Sequence, residues 1–212
     1  MQRRARLARA RLYLVLEARP HGSDPAPLLE AALRGGVDVV QLRDKELPDA
    51  ELEAAAVPFR RACDSYGALF VLNDRPELVG ATNADGVHVG QDDTPVGEAR
   101  AAVGAERLVG LSVSSRADIA AAAGADYLGV GAVYGTPTKT DARAGGLELV
   151  HAAAELVRIP WFAIGGIDEE TIADVVAAGA PGVAVVRAIR DADDPEAAAR
   201  ALRRRLVTLR AG

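Results

Sequence analysis

Short apolar runs alternate with longer, Ala-rich stretches of helical period along the whole chain. Eight β-rich runs, at 12–16, 37–42, 69–72, 86–89, 108–112, 127–130, 161–164 and 183–186, predict strands. The stretches between them, among them 26–34, 49–66, 96–103, 116–123, 147–157, 169–178 and 195–209, predict helices. Gly35, Gly36, Gly67, Gly104, Gly124 and Gly179 fall where those helices would close with a left-handed cap before the next strand. A phrase ending in Asp recurs at strand starts, in Gly36-Val37-Asp38, Ala84-Asp85 and Gly124-Ala125-Asp126, and reads as one supersecondary unit reused. Eight strands alternating with eight helices predict an α/β fold, a single-domain (β/α)8 TIM barrel over 1–212, with an open doubly wound sheet as the runner-up. No linker or low-complexity stretch suggests a second domain.

Composition narrows the function classes. At 212 residues, half of them hydrophobic, the chain can bury one core. A formal charge of −5 gives no basis for nucleic-acid binding, and Arg3, Arg4, Arg6, Arg9 and Arg11 are expected to form a solvated helix face. No apolar run approaches the ~20 residues of a membrane span, and 12–16 is too short for a secretory core. The expectation is a soluble cytoplasmic protein with neither nucleic-acid nor membrane partners; a homo-oligomer is compatible with the sequence. Cys63 is the only cysteine, which excludes an intrachain disulfide and a thiolate cluster. His21, His88 and His151 are scattered and no Gly-x-Ser-x-Gly elbow is present, so a hydrolase triad has little support.

Lysine is rare enough to carry information. Lys45 and Lys139 are the only lysines among 25 cationic side chains, and each follows a strand-like run. Two leftover lysines in an arginine-biased chain would look the same, but their neighbours favour a site that uses a compact ammonium, as phosphate sites often do. In Gln41-Leu42-Arg43-Asp44-Lys45 the two-residue period puts Gln41, Arg43 and Lys45 on one face, pointing toward a barrel mouth. The third and fourth strands end in Asn73-Asp74-Arg75 and Gly90-Gln91-Asp92-Asp93. Carboxylates there could meet over one hard cation, with Mg²⁺ retaining waters and shared with a phosphate. Equally, Asp74 could cap a helix and Asp92 or Asp93 could serve a turn.

Beyond the sixth strand, 131–141 holds hydroxyls, backbone amides and Lys139, as a phosphate-cradling loop or lid would. Gly165-Gly166 after the seventh strand and Val186-Arg187 after the eighth occupy the loops that hold phosphate in many barrels, and Asp168 is placed to cap the helix containing Glu169 and Glu170. Ser112 alone reads more readily as a strand-end hydroxyl or helix cap, and His88 between two valines as a hydrogen-bonded structural histidine.

Taken in order, the stretches 41–45, 73–75, 85–93, 127–139, 163–167 and 182–189 resemble thiamine-phosphate synthase, a resemblance covering nearly the whole chain. It implies a (β/α)8 barrel that joins hydroxymethylpyrimidine diphosphate to a thiazole phosphate, releasing pyrophosphate with Mg²⁺ as cofactor. It further implies that Gln41, Arg43, Lys45, Asn73, Ser112 and Lys139 hold the pyrimidine diphosphate, with Arg43, Lys45, Lys139 and Ser112 taking part in catalysis. Asp74 and Asp93 would bind the metal, and Thr136, Pro137, Thr138, Gly166, Val186 and Arg187 would line the thiazole-phosphate pocket. Two positions depart from the pattern: many members carry serine where this chain has Arg187, and histidine where it has Ser114. The alternatives are a related thiazole tautomerase, which needs neither diphosphate nor metal, a non-catalytic sensor of thiamine precursors, and a phosphate-binding barrel isomerase. Lys45, Asp74, Asp93 and Lys139 together argue against the tautomerase, and no acid–base pair suggests the isomerase.

Overall fold

The computed structural model describes residues 2–135 and 145–208. Eight parallel strands close into a barrel in sequence order: β1 (Leu12–Leu16), β2 (Val39–Leu42), β3 (Leu69–Asn73), β4 (Gly86–Val89), β5 (Leu108–Val113), β6 (Tyr127–Val130), β7 (Trp161–Ile164) and β8 (Val183–Val185). Following the pairing register from Tyr13 once round the barrel returns to a position eight residues lower in β1, the shear that sets the strand tilt of a (β/α)8 barrel. The same registers set side by side residues that face the interior: Tyr13 beside Val39, Asn73 beside His88, His88 beside Gly110, Gly110 beside Tyr127, and Gly129 beside Phe162.

The helices are α1 (Gln2–Arg9), α2 (Ala26–Arg34), α3 (Asp49–Tyr66), α4 (Val96–Val103), α5 (Arg116–Ala121), α6 (Gly146–Leu156), α7 (Ile172–Ala177), α8 (Arg187–Arg190) and α9 (Pro195–Thr208). Leu12, Leu14 and Leu16 of β1 join the large apolar cluster between strands and helices, while Tyr13 and Val15 alternate into a smaller cluster inside the barrel. Strands buried on both faces explain why the apolar runs show no polar alternation. Leu7 and Ala10 belong to the inner cluster, so α1 and the residue after it plug the lower end of the barrel.

The expected eight strands and the barrel are observed, with differences in detail. Between β3 and β4 only a 3-10 turn, Pro76–Leu78, is formed instead of a helix. The helix expected over 169–178 starts at Ile172, because Asp168 spends its carboxylate one turn earlier, accepting the Glu170 and Thr171 amides and the Thr171 hydroxyl. The second strand begins at Val39 and not 37, since Asp38 turns its carboxylate onto the amides of Arg11 and Leu12 and onto Arg203.

Asp38 is one of three equivalent clamps. Asp85 accepts the Phe70 amide at 3.0 Å, Arg60 at 2.9 Å and Arg3 at 2.8 Å. Asp126 accepts the Val109 amide and Arg4, both at 2.8 Å, as well as Arg100. The repeated Asp phrase is therefore a device that ties the starts of β2, β4 and β6 to the preceding strand and to an arginine. Arg3 and Arg4 of α1 dock onto these carboxylates, so the basic first helix binds the barrel rim where a solvated face was expected.

Candidate active site

At the C-terminal ends of the strands the barrel opens into a cavity of about 680 Å³. Gln41 is buried at the end of β2, and Arg43 and Lys45 continue on the same side into the cavity wall, as the strand period predicted. The Arg43 amide still pairs with the Leu16 carbonyl at 2.8 Å, which keeps the chain extended past the last strand residue. Asn73 ends β3 and donates to Asp74 Oδ2 at 2.6 Å. Asp74 has φ +57°, a left-handed conformation that Asp tolerates but seldom adopts; here it turns the carboxylate into the mouth.

Lys45 Nζ lies 2.9 Å from Asp74 and 3.6 Å from Asp93. Asp93 is held by a turn, accepting the Gly90 amide at 3.0 Å. Through their shared Lys45 partner, Asp74 and Asp93 face one another closely enough for each to act on the other's carboxyl. Burial raises the Asp74 carboxyl above its ordinary range, with the Asp93 charge adding to that and Lys45 opposing it. Burial acts upward on Asp93 too, but the hydrogen bond with Asp74, the Lys45 charge and the Gly90 amide hold it low. The hydrogen bond to Asp74 raises Lys45, which stays cationic. Two neighbouring carboxylates at the mouth of this cavity suit a hard divalent cation. Among the described residues no third His, Cys, Asp or Glu joins them, so such a cation would complete its shell from phosphate and water.

The opposite wall comes from the last two βα loops. Gly165, Gly166, Val186 and Arg187 line the cavity. Gly166 has φ +63° and a Cβ there would stand 2.8 Å from the Tyr134 Cβ, so only glycine lets this cavity-lining backbone pack so closely against the segment after β6. Arg190 of α8 pairs with Glu17 at 3.1 Å and with Asp191 at 2.6 Å, fixing the rim between β1 and β8. Ser114 donates its amide and hydroxyl to Asp118 as part of the α5 cap with Ser115. Thr136, Pro137, Thr138 and Lys139 lie outside the described residues.

The floor holds residues that the apolar pattern concealed. Gln41 Nε2 donates to the Tyr13 hydroxyl at 2.8 Å, and the Tyr13 and Tyr127 hydroxyls are 3.0 Å apart. His88 Nδ1 is 3.1 Å from the Tyr127 hydroxyl, and its Nε2 is 2.9 Å from Ser112 Oγ. His88 is hydrogen-bonded, as expected, and it also lines the cavity. Burial drives both phenols well above their ordinary values, so both keep their protons. Tyr13 and Tyr127 sit in runs that read as apolar strand; inward parity combined with the scarcity of tyrosine, four in the chain, is the signal that could have found them.

A sequence model described as thiamine monophosphate synthase matches residues 12–189, from β1 to the short helix after β8. The chain belongs to the thiamine monophosphate synthase family. A thiamine-phosphate synthase of Thermobifida fusca is 50% identical over 209 residues, covering 96% of this chain and 95% of that protein. One from a Nostoc species is 48% identical over 196 residues, covering 92% of this chain and 55% of that longer protein. Among solved structures, a thiamine phosphate pyrophosphorylase from Pyrococcus furiosus superimposes with a TM-score of 0.87 at 33% identity, covering 96% of this chain and 98% of that one. The family relation spans every strand that contributes to the cavity.

Proposed function

We propose that the chain is a thiamine-phosphate synthase, a transferase that joins hydroxymethylpyrimidine diphosphate to a thiazole phosphate and releases pyrophosphate. The observation that carries this reading is the convergence of Gln41, Arg43, Lys45, Asn73, Asp74, Asp93 and Ser112 on one cavity, in a chain of this family. Gln41 and Ser112 form part of the floor and would orient the aminopyrimidine ring. Arg43, Lys45 and Asn73 would hold the diphosphate at the rim, with Lys139 of the loop after β6 as the family resemblance implies.

Asp74 and Asp93 would hold Mg²⁺, which when bound would help neutralise the departing pyrophosphate. Departure of pyrophosphate breaks the bond to the pyrimidine methylene and concentrates charge on the leaving oxygens. Arg43 and Lys45, cations on the cavity wall beside these carboxylates, would stabilise that charge. The thiazole nitrogen then bonds to the methylene, and no protein nucleophile is needed. Gly166, Val186 and Arg187, with Thr136, Pro137 and Thr138, would seat the thiazole phosphate opposite the leaving group. Holding two substrates in line removes much of the entropic barrier.

The diphosphate-binding set would be superfluous in a tautomerase that never meets a diphosphate. Incubating the protein with both substrates, with and without Mg²⁺, and reading thiamine phosphate as fluorescent thiochrome tests the reading. Mg²⁺-dependent product is expected; folded protein that binds thiazole phosphate yet makes no product contradicts it.

A further inference from the structure

The bonds on the cavity floor form one unbroken chain, Gln41–Tyr13–Tyr127–His88–Ser112, running from β2 to β5 through the barrel interior. Its two ends are the residues assigned above to the aminopyrimidine. Its middle is buried, with Tyr13 2% and Tyr127 1% exposed. We propose that Tyr13, Tyr127 and His88 are positioning residues that couple Gln41 to Ser112, so that the orientation of the Gln41 amide and the ability of Ser112 to donate to the substrate ring are set together. The inference rests on the synthase reading and deepens it.

Proton counting gives the coupling. Each phenol has one proton to donate, and a neutral imidazole has one N–H. With Gln41 Nε2 donating to Tyr13, the Tyr13 hydroxyl must donate to Tyr127, and Tyr127 must donate to His88 Nδ1. A neutral His88 in this direction carries its proton on Nε2 and gives it to Ser112 Oγ. Ser112 keeps its own proton to offer into the cavity, while Gln41 presents its carbonyl and its second N–H there. Reversing every bond turns the Gln41 amide so that Oε1 accepts from Tyr13 and Nε2 faces the cavity, and it spends the Ser112 proton on His88, so that Ser112 can only accept. Any mixed state puts two protons, or none, into a buried contact, which leaves a buried polar group unsatisfied. The edge of an aminopyrimidine carries an N–H donor beside a ring-nitrogen acceptor, one of each, and so matches either direction of the chain.

Packing supports a fixed path. The Tyr13 and Tyr127 rings meet Phe162 edge-on at 5.2 and 6.1 Å, and the His88 ring lies 5.4 Å from Tyr127. Gly110 clears the space between the last two: a Cβ there would lie 2.1 Å from Tyr127 Cζ and 2.5 Å from His88 Nδ1.

The test is a double-mutant cycle in kcat/KM for the pyrimidine diphosphate at saturating thiazole phosphate. Gln41→Ala, Ser112→Ala and their combination are measured in the wild-type and Tyr127→Phe backgrounds. Because loss of either end frees the other, the combined loss in the wild type should fall short of the product of the single losses by about tenfold. Tyr127→Phe keeps the ring and cuts the chain, so there the two losses should multiply. Tyr13→Phe cuts a different link and should do the same, which guards against one variant failing to fold. A purely structural tyrosine would lower all four activities alike and leave the shortfall unchanged, and that result overturns the proposal. Product formation with independent losses in the wild type overturns it as well. Absence of product from the wild type overturns the synthase reading on which it rests.

Discussion

Replacing Gly110 by alanine should damage both the core and the site. The new methyl would stand 2.1 Å from Tyr127 Cζ and 2.5 Å from His88 Nδ1, against the roughly 3.5–4.0 Å of a comfortable carbon contact. Both rings must recede by on the order of 1 Å, and Tyr127 has Phe162 and Tyr13 against it. Overpacking of this kind costs about 1–3 kcal/mol, and opening the two hydrogen bonds of His88 adds about 1 kcal/mol each. In a chain of this size 1 kcal/mol lowers Tm by roughly 2–4 °C, so a fall of about 10 °C is expected. Ser112 loses its partner at the same time, and kcat/KM for the pyrimidine diphosphate should fall by about tenfold or more. Gly97→Ala is the control, since nothing lies within 4 Å of its added Cβ. Thermal unfolding and steady-state kinetics on the two variants decide the matter. A Gly110→Ala protein within about 2 °C of wild type and with full activity would refute the packing argument and the role of the floor together.

Asp85→Ala should cost about 3–5 kcal/mol in urea unfolding, because Arg60 and the Phe70 amide lose a buried partner; a change below about 1 kcal/mol would contradict the clamp. Burial opposes ionisation of Asp85, yet the Phe70 amide, Arg60 and Arg3 prevail and hold its carboxyl below the usual range. Its contribution is therefore present above the unfolded-state value of about 4 and is lost as pH falls through the lower folded value, so Asp85→Asn should flatten the acid limb of a stability–pH curve. Asp74→Ala and Asp93→Ala should each abolish Mg²⁺-dependent turnover with the circular dichroism spectrum intact, and unchanged metal dependence in both would remove them as ligands. Arg187→Ala should raise KM for the thiazole phosphate by about tenfold while sparing KM for the pyrimidine diphosphate, and a rise in the second alone would move Arg187 to the other substrate.

The barrel was legible because β1 to β8 are short, β-rich and regularly spaced, and their expected bounds agree with the structure to within two residues. The missing helix between β3 and β4 was less legible: too few residues join those strands, and Pro76 favours a turn. Gln41, Arg43 and Lys45 were found through two-residue parity, which survives into the loop because the Arg43 amide keeps its strand partner. Parity could not find the floor, since Tyr13 and Tyr127 look apolar to any hydrophobicity pattern and reveal their hydroxyls only once β1 and β6 face each other across the barrel. The Asp clamps show the reverse case, a repeat visible in the chain whose purpose needed the neighbouring strand and α1 to be seen.

The most direct measurement compares wild type with Lys45→Met in the thiochrome assay with both substrates and Mg²⁺. The account predicts thiamine phosphate and pyrophosphate in equal amounts from the wild type, and at least a hundredfold loss in the variant, on the order expected when a group stabilising transition-state charge is removed. A wild type that forms no thiamine phosphate, or a Lys45→Met variant that keeps its rate, would contradict it.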